Sequence, residues 1–272
     1  MAKNDGTYEV IPFPKIRRPM VDGGRMGRQR HTIHGLVEVD VTLARQLLRE
    51  HKARTGEALS FTAFVIGCLG RAVDMNKRMQ ACRTWRDRLV IFDEVDVNTM
   101  FEVEVDGSKM VRNHILQGVN KKSLQDIHEE IRAYQAGHAS GREAKFFRWF
   151  VLLPGFARRA FYWFFLKDAH RLKEYFGTVC LTAVGMFGTG GGWGLPVPNH
   201  TLQITLGGIA EKPGVVNGRV EIREYLCVTV SIDHDLIDGA PAARFIQRFK
   251  ELIESAYGLC DTFETAPESR PA

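Results

Sequence analysis

No Cys-x-x-Cys pair occurs among the five cysteines of this 272-residue chain, Cys68, Cys82, Cys180, Cys227 and Cys260. Their wide spacing excludes the usual zinc-ligand pattern and a disulfide framework, so they read as buried thiols. Charge of one sign is also in short supply. A net charge of +5 is too small to argue for nucleic acid, and no strand interleaves basic with aromatic residues. No nucleic-acid partner is expected, although the slight positive excess suits the phosphates of a small anionic ligand. No composition shift, internal repeat or low-complexity tract divides the chain, which points to a single domain over 1–272. The start, Met1-Ala2-Lys3-Asn4-Asp5-Gly6, lacks the basic, apolar and small-residue layout of a signal peptide, so a cytoplasmic protein is expected. The first eight residues and the tail from Thr262 read as frayed ends.

Glycine is concentrated in one place, Gly185-Met186-Phe187-Gly188-Thr189-Gly190-Gly191-Gly192-Trp193-Gly194. A phosphate-binding loop would need Gly-x-Gly-x-x-Gly or a Walker lysine followed by a helix. Neither pattern is present, and Pro196 and Pro198 fall where the helix would begin. Elsewhere, alternation at 35–41 predicts a strand, and 42–55 predicts a surface helix capped by Asp40 or Thr42. Residues 61–74 predict an apolar helix, 95–105 a strand, and 123–134 an amphipathic helix. Strands are predicted at 178–184, 202–209, 220–224 and 226–232, and a helix over about 240–257. Helices grouped against a mixed sheet indicate an α/β sandwich.

The chemistry concentrates near the C-terminus, where Val228 to Ile232 leads into Asp233-His234-Asp235-Leu236-Ile237-Asp238-Gly239. A histidine fixed at the end of a rigid strand suits general-base work, because its ordinary pKa near 6.5 allows proton removal at neutral pH. A thiol is the donor that it activates best. Asp238-Gly239 is also ordinary turn chemistry, and Asp238 could simply cap the following helix, with Pro241 in its first turn.

The segment Tyr225 to Leu252 resembles the end of the catalytic domain of the dihydrolipoyl acyltransferases of 2-oxo acid dehydrogenase complexes. Those chains carry Asp-His-Arg-x-x-Asp-Gly, and the related chloramphenicol acetyltransferases carry His-x-x-x-Asp-Gly. Further blocks are similar and stand in the same order. They are Phe61 to Arg83, Val111 to Ile115 followed by Asn120-Lys121-Lys122-Ser123-Leu124, Gly177 to Gly188, and Pro213 to Gly218. The resemblance covers nearly the whole chain. It implies a chloramphenicol acetyltransferase-like sandwich, a mixed sheet with helices, assembled as a trimer or a multiple of trimers. It also implies coenzyme A, as acyl-CoA or free thiol, with a small or carrier-borne acceptor.

Carried over residue by residue, the resemblance makes His234 the base and places Thr182 at the family's usual serine, as the donor to the oxyanion. Thr182 also reads as an ordinary strand former. Asp238 corresponds to the aspartate that supports the site through an arginine, for which Arg17 or Arg18 is the candidate partner. In such a site the histidine of one subunit meets the hydroxyl of its neighbour. No metal is implied. Neither a lipoyl nor a peripheral-subunit-binding domain is legible, so no lipoate is expected on this chain. Because of that, a noncatalytic oligomeric scaffold or binding module with the same fold is the competing expectation.

Four departures stand out. Asp235 replaces the arginine that normally follows the histidine, which disfavours an anionic ligand beside it. Asn113 replaces a proline, and Thr182 replaces the serine. The fourth is an insertion over about 136–176, with the aromatic run Phe146 to Leu166. Arg148, Arg158, Arg159 and the break at Pro154-Gly155 argue against a membrane-spanning helix and for two short helices. Aromatics beside arginine suit a subunit contact, a membrane surface or an acyl-chain pocket. Membrane-surface contact through 146–166 is therefore an open expectation.

Overall fold

The computed structural model describes residues 8–105, 108–136, 149–166, 168–185 and 188–259. Cys260, the tail from Thr262 and Phe146 to Arg148 of the aromatic run lie outside the described residues. The chain enters through helix α1 (Arg18–Gly27), strand β1 (Thr32–Asp40), α2 (Thr42–Thr55) and α3 (Phe61–Met75). There follow a short hairpin, β2 (Cys82–Arg83) and β3 (Leu89–Val90), then β4 (Val97–Val105), β5 (Ser108–Leu116) and α4 (Leu124–Ala136). After the insertion's helices α5 (Gly155–Leu166) and α6 (Ala169–Phe176), the chain closes with β6 (Val179–Ala183), β7 (Leu202–Val216), β8 (Arg219–Asp233) and α7 (Gly239–Glu254).

Local chemistry sets most of these boundaries. Asp40 Oδ1 accepts from the Thr42 backbone N–H at 2.9 Å and from its hydroxyl at 2.6 Å, which turns β1 into α2. Gly56, at φ 77°, ends α2 in the left-handed conformation that costs glycine least. The Ser60 hydroxyl caps α3 by accepting from the Ala63 N–H. Asp168 caps α6 in the same way.

Six strands form one mixed sheet in the order β1-β8-β7-β6-β4-β5, with β6 parallel to both of its neighbours and the other pairs antiparallel. Because side chains alternate across a strand, the sheet has two unlike faces. Leu181, Leu202, Ile204, Leu206, Val228, Val230 and Ile232 share the core with α3 and α7. The opposite face is polar where it is buried, and it includes Gln203, Thr205, Thr229 and Ser231. The sandwich is the architecture expected from the sequence.

Two details differ. The expected strands at 220–224 and 226–232 are one strand, β8, because an equally long β7 pairs with it from Val216↔Arg219 to Leu202↔Ile232. Helix α1 was not expected from the sequence; its buried residues are Pro19, Asp22 and Gly27, and it packs on α5. The glycine run lies against the polar face: Gly208 N–H donates to the Gly192 carbonyl at 2.9 Å, and a Cβ at Gly207 would fall 2.0 Å from that oxygen. These glycines thus permit close backbone packing.

Candidate active site

His234 sits on an exposed turn immediately after β8. Its backbone N–H donates to the His31 carbonyl at 2.8 Å, so the residue is pinned where β1 begins. The turn is closed from inside by Asp233, whose Oδ1 accepts the Asp235 N–H at 3.1 Å and whose Oδ2 meets Arg30 Nη1 at 2.5 Å. Backbone bonds from Leu236 and Ile237 to the Asp233 carbonyl complete it, and the Asp233 N–H donates to Thr201. The His234 ring itself has no hydrogen-bond partner among the described residues. It is free to act as a base.

Asp235 does not act on His234 through a direct bond. Its Oδ1 lies 2.9 Å from His31 Nδ1, so the charge reversal seen in the sequence is answered by a neighbouring imidazole. Hydrogen bonding to Asp235 raises the His31 pKa above its ordinary value, and the same bond lowers that of Asp235. Below the turn, His200 is buried, and its Nε2 donates to the Phe176 carbonyl at 2.7 Å. Burial pushes its pKa down to about 4, so the ring is neutral.

Arg30, His31 and Asp233 were missed in the sequence. The separation of Arg30 from Asp233 by 203 positions explains why. Within one chain the described residues do not bring Asp238 to Arg17 or Arg18. Asp238 is the exposed N-cap residue of α7, its side chain makes no capping bond, and no ion pair joins it to either arginine among the described residues. Packing of α1 on α5 carries Arg18 to a cleft beside Asp22, whereas Arg30, beyond the other end of α1, is the arginine that reaches the histidine turn.

Thr182 lies on β6 with its side chain on the polar face, half-buried, and its hydroxyl has no partner among the described residues. The register runs Thr182↔Thr205↔Thr229 across β6, β7 and β8. His234 therefore lies two strands away and five positions further along β8. At about 3.3 Å per residue and about 4.8 Å per strand, this is roughly 15–20 Å. One chain does not bring the two together. The cavity at the turn, lined by Arg30, Cys82, Arg83, Thr201, Asp233 and Asp235 among others, holds only about 70 Å³. That is far below the several hundred Å³ typical of sites for larger ligands.

Cys68, Cys82, Cys180 and Cys227 are free and buried, as expected. Burial pushes the Cys82 thiol up to about 11 and that of Cys180 to about 12, which leaves neither as a nucleophile near neutral pH.

These features define an acyltransferase-type α/β sandwich with a histidine turn at the end of a sheet strand. Residues 169–260 match the model of the 2-oxoacid dehydrogenases acyltransferase (catalytic domain). That region is similar to the family's catalytic domain. The chain is 27% identical over 257 residues to the dihydrolipoyllysine-residue acetyltransferase component of the pyruvate dehydrogenase complex of Bacillus subtilis, covering 89% of this chain and 50% of that protein. It is 36% identical over 80 residues to the succinyltransferase component of the 2-oxoglutarate dehydrogenase complex of Saccharomyces cerevisiae, covering 29% of this chain and 17% of that protein. The chain thus spans half or less of the length of these relatives. Its fold is that of a probable dihydrolipoamide acetyltransferase from Listeria monocytogenes, with a TM-score of 0.68 at 18% identity over 98% of this chain and 99% of the other. The cubic core of the pyruvate dehydrogenase multienzyme complex gives the same TM-score, at 15% identity over 96% and 98% of the two chains.

Proposed function

We propose that this chain is a coenzyme A-dependent acyltransferase whose active site forms between copies, with His234 of one copy facing Thr182 of another. The observation that carries this reading is the separation within one sheet of two side chains that both lack partners. Either residue alone is half of a site. A trimer, or a multiple of trimers, completes it by bringing His234 of one copy to Thr182 of another. The protein is proposed to be cytoplasmic and to act as one catalytic domain on coenzyme A and a small or carrier-borne acceptor.

In the reaction, the free His234 imidazole takes the proton of an acceptor thiol. The thiolate attacks the thioester carbonyl carbon, forming a new carbon–sulfur bond and putting negative charge on the oxygen. The Thr182 hydroxyl donates to that oxygen. Collapse breaks the original carbon–sulfur bond, and the departing thiolate recovers the proton from the imidazolium, so protons balance over the cycle. Arg30 and Asp233 act on His234 only by holding its turn. Asp238, whose carboxylate is open to solvent, is proposed as a supporting acceptor for a basic group in the assembly.

The test is transfer of acetyl, succinyl and branched acyl groups from coenzyme A to dihydrolipoamide by the full chain. Thioester formation that disappears in His234→Ala supports the reading. If wild type and variant show the same background rate on every donor, the noncatalytic scaffold stands instead.

A further inference from the structure

The insertion and the N-terminal helix build a second site, away from the histidine turn. Helix α5 packs on α1, and their contact is tied by a buried ion pair: Arg158 Nε donates to Asp22 Oδ2 at 2.8 Å, with both side chains almost wholly enclosed. Arg158 Nη1 also donates to the Leu153 carbonyl at 2.5 Å, which fixes the turn before α5. Above this floor opens a cleft of about 390 Å³. Three more guanidinium groups line it, from Arg18, Arg25 and Arg159. Its apolar walls include Phe13, Val21 and Leu152, all exposed at their outer edges.

Charge is unbalanced here. Residues 149–166 contain no aspartate or glutamate, and Asp22 is the one acid of α1. That carboxylate is already committed to Arg158, with Arg159 at 4.0 Å. Arg18 and Arg25 have no carboxylate partner among the described residues. Planar guanidinium groups converging on one cleft suit a phosphate ester, which accepts from several of them at once. From the cleft-lining Arg159, α5 continues the same face through Phe156 and Trp163, at spacings of three and four residues. Phe156 is 70% exposed and Trp163 57%. An exposed stripe of aromatics around an arginine suits the boundary between headgroups and acyl chains.

We propose that this cleft binds the phosphate headgroup of an anionic phospholipid at a membrane surface, with the exposed face of α5 seated among the acyl chains. No helix among the described residues is long and apolar enough to cross a membrane, so the contact is peripheral. A soluble phosphate compound would be satisfied by the arginines alone. The apolar rim and the α5 stripe give a reason to expect a lipid surface instead. The proposal does not depend on acyl transfer.

Sedimentation of the full chain with vesicles tests it. Vesicles of phosphatidylcholine containing about one third phosphatidylglycerol should capture the protein, and pure phosphatidylcholine should not. Arg18→Glu combined with Arg25→Glu should weaken capture at least tenfold, whereas Arg86→Glu, an exposed charge reversal on the β2–β3 hairpin, should not. Phe156→Ser with Trp163→Ser should abolish the capture that survives raised salt, and circular dichroism confirms that each variant is folded. Equal capture by neutral vesicles, equal loss in Arg86→Glu, or no capture at all overturns the proposal. Binding of soluble dihexanoylphosphatidate without vesicle capture overturns the membrane as its source.

Discussion

Arg30 reaches across 203 positions of sequence to donate to Asp233 at 2.5 Å, and this one ion pair anchors the turn that presents His234. Asp233 is nearly buried while Arg30 retains partial access to water. Removing the arginine leaves a shielded carboxylate without its partner. Arg30→Ala should therefore destabilise the fold by about 1–3 kcal/mol in urea unfolding. It should also lower kcat more than it raises KM, because the base is misplaced rather than the substrate site lost. Arg30→Lys should restore most of the stability and part of kcat. A variant with unchanged stability and unchanged kcat would remove Arg30 from this role.

The two-copy site makes a prediction that a single-chain site does not. His234→Ala should abolish acyl transfer, and Thr182→Ala should reduce it by roughly ten- to a thousandfold. When the two variants are unfolded together and reassembled, some interfaces pair an intact His234 with an intact Thr182. Activity should then exceed that of either variant alone. Asp238→Asn should fold normally and lose part of the activity. No recovery in mixed assemblies whose mixing is confirmed by mass would place the two residues in separate sites. Light scattering should give a trimer or a multiple of it.

His31 and Asp235 form an exposed pair whose titration has a definite sign. The raised His31 pKa means that its contribution is present while the ring is protonated and is lost as pH rises through that value. The lowered Asp235 pKa means that its contribution is lost as pH falls through the acid range. The bond is thus strongest between about pH 4 and pH 6.5. Nuclear magnetic resonance should show the His31 midpoint above 6.5, and Asp235→Asn should bring it down. An unchanged midpoint would refute the pairing.

His200 predicts a slope of the opposite kind. Burial holds its folded pKa at about 4, whereas the unfolded ring protonates near 6.5. The stabilising contribution is complete above pH 6.5 and declines as pH falls towards 4, by about 2–3 kcal/mol at most. His200→Gln keeps a donor for the Phe176 carbonyl. Its unfolding free energy should change less between pH 7.5 and pH 5 than that of the wild type. Parallel pH profiles would show that the ring protonates freely.

The sequence made the helices α2, α3, α4 and α7 legible because each carries its own period and its own end signals, such as Ser60 ahead of α3 and Gly56 after α2. Strand β1 and the apolar stretches of β6 to β8 were visible for the same reason. Helix α1 was not, since its place depends on α5 and on Asp22 meeting Arg158 across 136 positions. The break at Pro154 was foreseen, and the described residues show a helical turn ending at Leu152 and a new helix from Gly155. That the new helix would leave Phe156 and Trp163 exposed while enclosing Arg158 could not be read from a run aromatic on every side.

By itself the sequence determined the fold class, the resemblance and the identity of His234 as the residue to watch, because strand alternation, glycine placement and the Asp233-to-Gly239 motif are all local along the chain. Tertiary structure decided which arginine serves the turn, where the charge of Asp235 goes, and that Thr182 lies two strands from His234. Each of these depends on residues brought together by β1, β6, β7 and β8 pairing in one sheet. Local pattern specifies an element and the face that it buries, but the meeting of side chains separated by over a hundred positions is settled only when the sheet register and the helix packing are fixed together.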